Sequence, residues 1–428
     1  MFLTVRHTAA QAPASSVRTL SWTRALRGFV DGLVSVVLPA HLGRLGFSAV
    51  EIGTVITATL FGSAVLTMTV GLAAHRLDGR RILLACSALM VATGVGFIVC
   101  DSFWPLVAVA FVGTLNPTAA DVTVFLPIEQ TLLSDAVDRA AASDAERGEE
   151  TIVKYRDRAR TTADVFARYN LSGALAGAAG ALASSLPALL ARGAGRPLPS
   201  LEHAAFVLYA AAGLLAAALY RRLPRAGVHS PSSPPAPLVR SRRTVLRLAA
   251  LFSLDSFAGG FVVQSMVVLW LYRRFGLSVE TAGAIFFAAG LAGAFSQLIA
   301  SRIAARIGLV RTMVFTHLPS NALLALAGLM PSAPLAVTFL LLRAGLSQMD
   351  VPARQAFVME VVPPAERAAA SSVTNVPRSL ASAAAPFFAG LMLERSSFGW
   401  PLILAGALKA IYDLALFQQF RRVAPGRS

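Results

Sequence analysis

The chain has 428 residues, of which 56% are hydrophobic and only 14% are charged, and its formal net charge is +16. A soluble protein of this length needs a larger polar surface, so the composition excludes an ordinary water-soluble enzyme and favours a membrane protein. The arginines lie between apolar stretches rather than on one soluble domain, so the charge indicates membrane topology and contact with anionic lipids, not nucleic acid. Two cysteines, Cys86 and Cys100, predict neither a disulfide framework nor a zinc site, and we expect no metal and no cofactor.

Twelve apolar stretches follow one another along the chain. A bilayer core about 30 Å thick requires about 20 apolar residues in each spanning helix. The predicted spans are residues 25–43, 50–73, 82–100, 104–127, 169–191 and 203–220, then 246–271, 280–300, 310–330, 333–352, 372–393 and 399–420. The sequence therefore predicts an all-α integral membrane protein with 12 transmembrane helices in two six-helix bundles.

Residues 221–247 separate the two sets of spans. They contain seven arginines, five prolines and no acidic residue. This composition predicts an exposed linker, and arginines between apolar segments are typical of a cytoplasmic loop. The predicted organisation is a cytoplasmic tail (1–24), an N-terminal bundle (25–220), the linker (221–247), a C-terminal bundle (248–420) and a second cytoplasmic tail (421–428). Arginines are concentrated on alternate connections, which favours both termini in the cytoplasm.

The two sets of spans carry an internal repeat. Asp31 in the first span and Asp255 in the seventh lie early in the helix, and in both an apolar stretch and a glycine lead to a glutamate. The fourth and tenth spans match more loosely around Asp121 and Asp350. Matches in the same order on both sides of a linker indicate duplication of a six-helix unit. Parallel repeats of this kind are the plan of secondary transporters, whose binding site lies between the repeats.

The connection between the second and third spans reads GLAAHRLDGRRILL. It is similar to the signature loop of the major facilitator superfamily, roughly G-x-L-A-D-R-x-G-R-R, although His75 stands where that family usually has aspartate and one extra residue precedes Gly79. An eroded copy, SRIAARIGLVR, lies between the eighth and ninth spans. The resemblance covers all twelve spans and implies that family's fold, alternating access and gating at the cytoplasmic side. The residues we expect to take part in gating are His75, Arg76, Asp78, Arg80 and Arg81, together with Asp121 and Asp350.

The sequence carries no constellation typical of an enzyme. Lysine occurs only at Lys154 and Lys409, and neither follows a glycine-rich loop, so the chain lacks a phosphate-binding P-loop and is not an ATP-driven pump by itself. The HExxH and GxSxG motifs are also absent. We therefore expect a protein that is not an enzyme and that uses an ion gradient or the gradient of its own substrate.

Charged side chains inside a bilayer are costly and by default indicate function. Asp31 and Asp255 stand at equivalent places in helices that, by the resemblance, line the central cavity. Either could bind a proton on one side and release it on the other; the alternative is a carboxylate permanently paired with a basic neighbour. Ser35 shares a helix face with Asp31, and Gln264 follows Asp255, so both are candidate wall residues. Asn116, with the proline after it, predicts a break in the fourth span that is either a simple kink or a source of free carbonyls.

Three further charged residues fall within the last predicted spans. Lys409 and Asp413 are four residues apart in the twelfth span, so they can neutralise each other; alternatively, Lys409 titrates or binds substrate. Arg343 lies midway along the tenth span. It could hold an anionic substrate or pair with Asp350.

These observations together predict a multi-pass transporter in a bacterial inner membrane. The resemblance favours proton-coupled efflux of a small drug, metabolite or metalloid compound. Uptake of a nutrient is the first alternative, and a membrane sensor on a transporter scaffold is a distant one. We expect a small-molecule substrate, a proton or another coupling ion and membrane lipids as partners, no nucleic acid, and a monomer.

Overall fold

The computed structural model describes residues 2–73, 78–118, 123–145, 153–186, 199–224 and 238–420. Within these ranges the chain is helical, with short turns between the helices. Three predicted gating residues, His75, Arg76 and Asp121, lie outside the described residues, as do residues 225–237 of the predicted linker.

Fifteen α-helices and one short 3-10 turn are described. In the N-terminal half they are α1 (Phe2–Arg44), α2 (Ala49–Ala73), α3 (Gly79–Val99), α4 (Phe103–Val112), α5 (Phe125–Ala145), α6 (Val153–Ala183) and α7 (Pro199–Tyr220). In the C-terminal half they are α8 (Arg242–Gly260), α9 (Gln264–Phe275), α10 (Val279–Ile307), α11 (Leu309–Leu329), α12 (Ala333–Ser347), α13 (Asp350–Val361), the turn Pro364–Glu366, α14 (Arg367–Arg395) and α15 (Trp400–Phe420). The predicted all-α fold class is confirmed.

Nine helical segments in the described part of the chain are long and apolar enough to cross a membrane. Three predicted spans are not among them. The fourth is interrupted after α4, the tenth is divided into α12 and α13, and the apolar part of α6 consists mostly of alanine and glycine. The count of twelve therefore stays a prediction, as do the domain boundaries.

Helix bounds differ from the predicted ones near the N-terminus and at the linker. Helix α1 begins at Phe2, before the start of the first predicted span at residue 25, and Leu20, Thr23 and Arg24 in this stretch are buried. Helix α8 begins at Arg242, so the last residues of the predicted linker are helical.

Helix breaks occur at corresponding places in the two halves. The break predicted at Asn116 and Pro117 is present: α4 ends at Val112 and residues 113–118 are not helical. The tenth span breaks between α12 and α13, at the matching place in the repeat. A third break separates α8 from α9 near the middle of the segment Arg242–Phe275. Such breaks leave backbone groups available for contacts other than helix hydrogen bonds.

Small residues bring helices into backbone contact. A Cβ added to Gly32 on α1 would lie 2.0 Å from the carbonyl oxygen of Gly177 on α6, so only glycine fits there. A Cβ on Gly53 of α2 would lie 2.5 Å from the carbonyl oxygen of Pro386 on α14. The first contact holds the N-terminal half together, and the second joins the two halves, as small residues commonly do between membrane helices.

The bundle has two ends. We call the end with the α2–α3, α7–α8, α10–α11 and α13–α14 connections the basic face, because arginines such as Arg81, Arg222 and Arg306 lie exposed there. The end with the α1–α2, α9–α10 and α14–α15 connections is the opposite face. The contacts of α2 with α14, α6 with α10 and α1 with α9 join the halves, and they lie between mid-depth and the opposite face. There Glu394 of α14 accepts a hydrogen bond of 2.7 Å from the backbone N–H of Ala49 at the start of α2.

Candidate functional site

Asp255 is the centre of a buried charge network in the C-terminal half. It lies on α8, one turn before the break, and its Oδ1 is 2.6 Å from Nζ of Lys409 on α15. Its Oδ2 accepts a hydrogen bond of 3.1 Å from Nη1 of Arg354 on α13, which is also 3.4 Å from Oδ2 of Asp350. All four side chains are buried. Such pairs are stable in a membrane only when the carboxylates and cations satisfy each other.

The predicted pairing of Lys409 with Asp413 is corrected by this geometry. Lys409 bonds Asp255 on another helix, and Asp413 instead bonds two residues of α11. Nδ1 of His317 is 2.9 Å from Oδ1 of Asp413, and Nδ2 of Asn321 donates to Oδ2 at 2.8 Å. Four-residue spacing places two side chains on one helix face. In this structure, however, Lys409 binds a residue of α8 and Asp413 binds residues of α11.

His317 joins the two acidic positions. While its Nδ1 contacts Asp413, its Nε2 lies 3.8 Å from Oδ1 of Asp255. The imidazole therefore stands between two carboxylates on α8 and α15. Each ring nitrogen of an imidazole can interact with a separate partner, so one ring can face both acids.

Arg343 and Arg378 approach the same network from α12 and α14. Of the two alternatives for Arg343, pairing with Asp350 is not seen in the described contacts, where Asp350 contacts Arg354 instead. The Arg343 side chain is half-buried and is attracted electrostatically to Asp255. Its Nε atom is buried and has no hydrogen-bond partner within the described residues. Nε of Arg378 donates to the hydroxyl of Ser256 at 2.7 Å. Both guanidinium groups thus lie next to the network.

Asp31 occupies the equivalent position on α1. It accepts a hydrogen bond from Asn116, the residue at the helix break, and is buried. Arg27, one turn earlier on α1, forms an ion pair with Glu129 of α5. The structure therefore brings Asp31 and Asn116 together in the N-terminal half, as it brings Asp255 and Lys409 together in the C-terminal half.

Glu129 is enclosed by hydrogen-bond donors. In addition to Arg27, its carboxylate accepts hydrogen bonds from the hydroxyls of Tyr169, Tyr220 and Thr23, the last at 2.9 Å. The glutamate is fully buried, and these donors come from α1, α6 and α7. A buried carboxylate with this many donors is fully satisfied and holds its helices in place.

The candidate wall residues Ser35 and Gln264 meet where the halves touch. Nε2 of Gln264, at the start of α9, donates to Oγ of Ser35 on α1 at 2.8 Å. The next residue, Ser265, donates to the backbone carbonyls of Ser35 at 2.7 Å and of Pro117 at 3.0 Å. The break at Asn116 thus supplies a free carbonyl that binds the broken span of the other half.

Of the predicted gating residues, three can be described on the basic face. Asp78 caps the N-terminus of α3 by accepting from the backbone N–H of Arg80 at 3.1 Å. Nη1 of Arg80 donates to the carbonyl oxygen of Leu223 just past α7 at 3.0 Å. Arg81 is exposed. The loop is therefore attached to the end of the sixth predicted span; its gating role stays a prediction.

Sequence reasoning missed four residues of these networks: Glu129, His317, Arg354 and Arg378. One signal for His317 was available in the sequence, because it is a histidine within a predicted span with Asn321 one turn later.

The family described as Major Facilitator Superfamily matches residues 20–342 and 249–427 of this chain. Among curated proteins, the uncharacterized membrane protein YJR124C of Saccharomyces cerevisiae is 23% identical over 430 residues, covering 92% of each chain. The two overlapping family matches cover nearly the whole sequence.

Solved structures with the same fold include three kinds of transporter. The nucleoside transporter NupG is 14% identical, with a TM-score of 0.69, over 95% of this chain and 99% of its own. A bacterial homologue of the human lysosomal transporter Spinster, in an inward-facing and occupied conformation, is 15% identical, with a TM-score of 0.68, over 96% and 97%. The human organic anion transporter MFSD10 is 17% identical, with a TM-score of 0.56, over 94% and 99%. The match over the full length of the chain shows that this multi-pass membrane protein belongs to the major facilitator superfamily of transporters.

Proposed function

We propose that the chain exports a small solute in exchange for protons, by alternating access between an N-terminal bundle (25–220) and a C-terminal bundle (248–420). The observation that carries this proposal is the buried network of Asp255, Lys409, Arg354 and His317. Ionised groups at this depth are costly and are retained where they move ions or bind substrate. A purely structural ion pair would not require a histidine between two carboxylates.

The arrangement of the halves supports alternating access. Contacts between them run from the Ser35–Gln264 hydrogen bond at mid-depth to Glu394 and Ala49 at the opposite face. Towards the basic face, Met68 and Asn375, on the parts of α2 and α14 beyond these contacts, are exposed. With both termini in the cytoplasm of a bacterial cell, this is a state open to the cytoplasm, in which a monomer can load a solute for export.

Proton coupling follows from the partners of Asp255. A proton on this carboxylate would release Lys409 and Arg354, and His317 is placed to pass the proton towards Asp413. Asp31, with Asn116 as its hydrogen-bond donor, would serve the N-terminal half in the same way. Loss or gain of a proton then changes which helices are held together, which is what coupling requires.

The test is the internal pH of proteoliposomes that contain the purified chain, with solutes added in turn under an imposed proton gradient. We expect a transported solute to trigger proton movement opposite to its own. Asp31→Asn and Asp255→Asn should abolish that movement, whereas Asp101→Asn, an exposed carboxylate in the α3–α4 connection, should not.

The sign of the proton movement decides the direction. Movement in the same direction as the solute would replace export with nutrient uptake. Solute flux without any proton movement would overturn proton coupling, and gradient-driven transport that persists in both aspartate variants would return these residues to a structural role.

A further inference from the structure

We infer that the cargo is a small organic anion, held by Arg343, Arg378 and Tyr412 beside the Asp255 network. The inference rests on the proposed function, because it names the substrate class of that same site. Arg343 lies on α12, Arg378 on α14 and Tyr412 on α15, and each of the three side chains interacts electrostatically with Asp255.

The cations of this place exceed its carboxylates in number. Lys409 and Arg354 use Asp255 and Asp350 as their partners. The third carboxylate, Asp413, is engaged by His317 and Asn321 and forms no ion pair with an arginine in the described part of the chain.

This leaves Arg343 and Arg378 without a carboxylate of their own. Among the described contacts, Arg378 donates to the neutral hydroxyl of Ser256. Arg343 is attracted to Asp255, which already serves two other cations. A guanidinium stays ionised under all physiological conditions, so a half-buried surplus of positive charge is stabilised when an anion arrives.

Three buried polar atoms here lack a hydrogen-bond partner within the described residues. Two are donors, Nε of Arg343 and the hydroxyl of Tyr412, whose side chain is only 1% exposed, and the third is an acceptor, Oδ1 of Asn321. The Tyr412 ring lies edge-on to His317, with a distance of 6.0 Å between the centroids, and its hydroxyl faces Asp255 and Asp413. Buried donors without a partner are uncommon, and here they lie next to the unpaired arginines.

Gly259, one turn after Asp255, lies against Lys409. It is half-buried, and a Cβ built on it would lie 3.6 Å from Nζ of Lys409, at ordinary van der Waals distance. The side of α8 that faces Lys409 therefore carries no side chain at this level.

The groups offered at this place are donors, which defines the chemistry of the ligand. Two guanidiniums, an ammonium and a phenolic hydroxyl match the oxygens of a carboxylate or a phosphate monoester, and guanidinium groups bind both in a bidentate manner. When no cargo is bound, the carboxylate of Asp255 binds two of the cations at this place, Lys409 and Arg354. An incoming anion would compete for its cations.

The experiment measures thermal stabilisation of the purified full-length protein by matched pairs of compounds: benzoate against benzamide, and glycerol 3-phosphate against glycerol. We expect an anion, but not its neutral counterpart, to raise Tm at millimolar concentration, and the responding pair separates carboxylate from phosphate recognition. In Arg343→Gln and Arg378→Gln the Kd for that anion should rise about 10- to 100-fold, as loss of a hydrogen bond to a charged group predicts. Arg343→Lys should recover part of the affinity, and Arg306→Gln, at an exposed arginine of the basic face, should leave it unchanged.

The outcomes separate this inference from the proposed function. If neither anion raises Tm in the unaltered protein, or if both arginine variants bind the anion as tightly as the original, the anion site is wrong. If neutral solutes are transported in proteoliposomes while anions neither bind nor cross, the proposed transport function is supported and the inferred substrate class is wrong. If the anion binds through Arg343 but no solute crosses, the site stands and the proposed function falls.

Discussion

Both halves contain charged side chains buried in membrane helices, but the partners of these charges differ between the halves. In the N-terminal half, the Glu129 carboxylate accepts from Arg27, two tyrosines and a threonine, so its own hydrogen-bonding capacity is filled, although Nε of Arg27 has no partner in the described residues. In the C-terminal half, Asp255 binds Lys409 and Arg354, the second of which also contacts Asp350, and Nε of Arg343 has no partner in the described residues. A closed network stabilises a fold, whereas an open one can respond to a proton or a ligand.

The halves also differ at the basic face. In each half a charged side chain binds backbone groups near a helix end, but the charge is positive in one half and negative in the other. In the N-terminal half, Arg80 donates to the carbonyl of Leu223 beyond the C-terminus of α7. In the C-terminal half, Glu366 accepts from the backbone N–H groups of Val239, Arg240 and Ser241 before the N-terminus of α8. A cation near a helix C-terminus and an anion near a helix N-terminus both interact favourably with the helix dipole. Each half thereby ties one of its own loops to one of its own helices.

Loss of the Glu129 charge should have the largest effect on stability. Glu129→Gln leaves Arg27 buried without its counter-charge, so the free energy of unfolding should fall by about 3–5 kcal/mol, as for a broken buried pair. The measurement is thermal unfolding of the purified protein in detergent. The double variant Arg27→Gln with Glu129→Gln removes both charges and should recover part of the loss.

Asp255→Asn supplies the counterpart in the C-terminal half. In this variant Arg354 keeps Asp350 as a partner and only Lys409 loses its described counter-charge, whereas Glu129→Gln weakens contacts to four donors. The loss should therefore be smaller, about 1–3 kcal/mol for weakened hydrogen bonds. If Asp255→Asn destabilised the protein more than Glu129→Gln, the distinction between a closed and an open network would be wrong.

The contact between the halves at the opposite face should have an intermediate effect. The carboxylate of Glu394 accepts from the N-terminal N–H of α2 at Ala49 and lies 3.9 Å from Nη1 of Arg273. Glu394→Gln removes a charge at a helix N-terminus, worth about 0.3–1 kcal/mol, so the population separated at this face should rise by up to about fivefold. Electron paramagnetic resonance measurements of the distance between spin labels attached at Asp101 and Arg395, one in each half, would detect the change in this population.

Glu51→Gln is the matched control for that measurement. Glu51 belongs to the same helix N-terminus, where it accepts from the N–H of Ser48, but this contact lies within one half. It should lower stability slightly and leave the distance distribution unchanged. An equal shift in both variants would assign the effect to helix capping rather than to contact between the halves.

The smallest effect is expected from Glu366, and it should depend on pH. Hydrogen bonds from Ser241 and from three backbone N–H groups lower the pKa of Glu366 from its ordinary value of 4.5 to about 2. A lowered folded-state pKa stabilises the fold above pH 4.5, and this contribution is lost as the pH falls from 4.5 towards 2. The difference in Tm between the original protein and Glu366→Gln should therefore be constant near neutral pH and shrink on acidification. A difference that grew on acidification would contradict the assigned hydrogen bonds.

Family and fold class could be predicted from the sequence, whereas much of the site could not. The pairing of Lys409 with Asp413 was wrong because spacing along one helix says nothing about which residues a neighbouring helix presents. Ser35 and Gln264 were both chosen as wall residues, but their direct hydrogen bond across the halves depends on how α1 and α9 meet. The roles proposed for Asp31, Asp255 and Arg343 stay predictions.

The sequence by itself determined the properties that depend on composition and local backbone chemistry. Long apolar segments must cross a membrane as helices because their backbone groups need internal partners, arginines collect on one face, and Pro117 interrupts a helix because it lacks an N–H group. The tertiary structure alone decided the partner of each buried charge. Desolvation forces each ionised group to find the best-placed opposite charge in three dimensions, and for Asp255 those charges lie on α13 and α15, far away in the sequence.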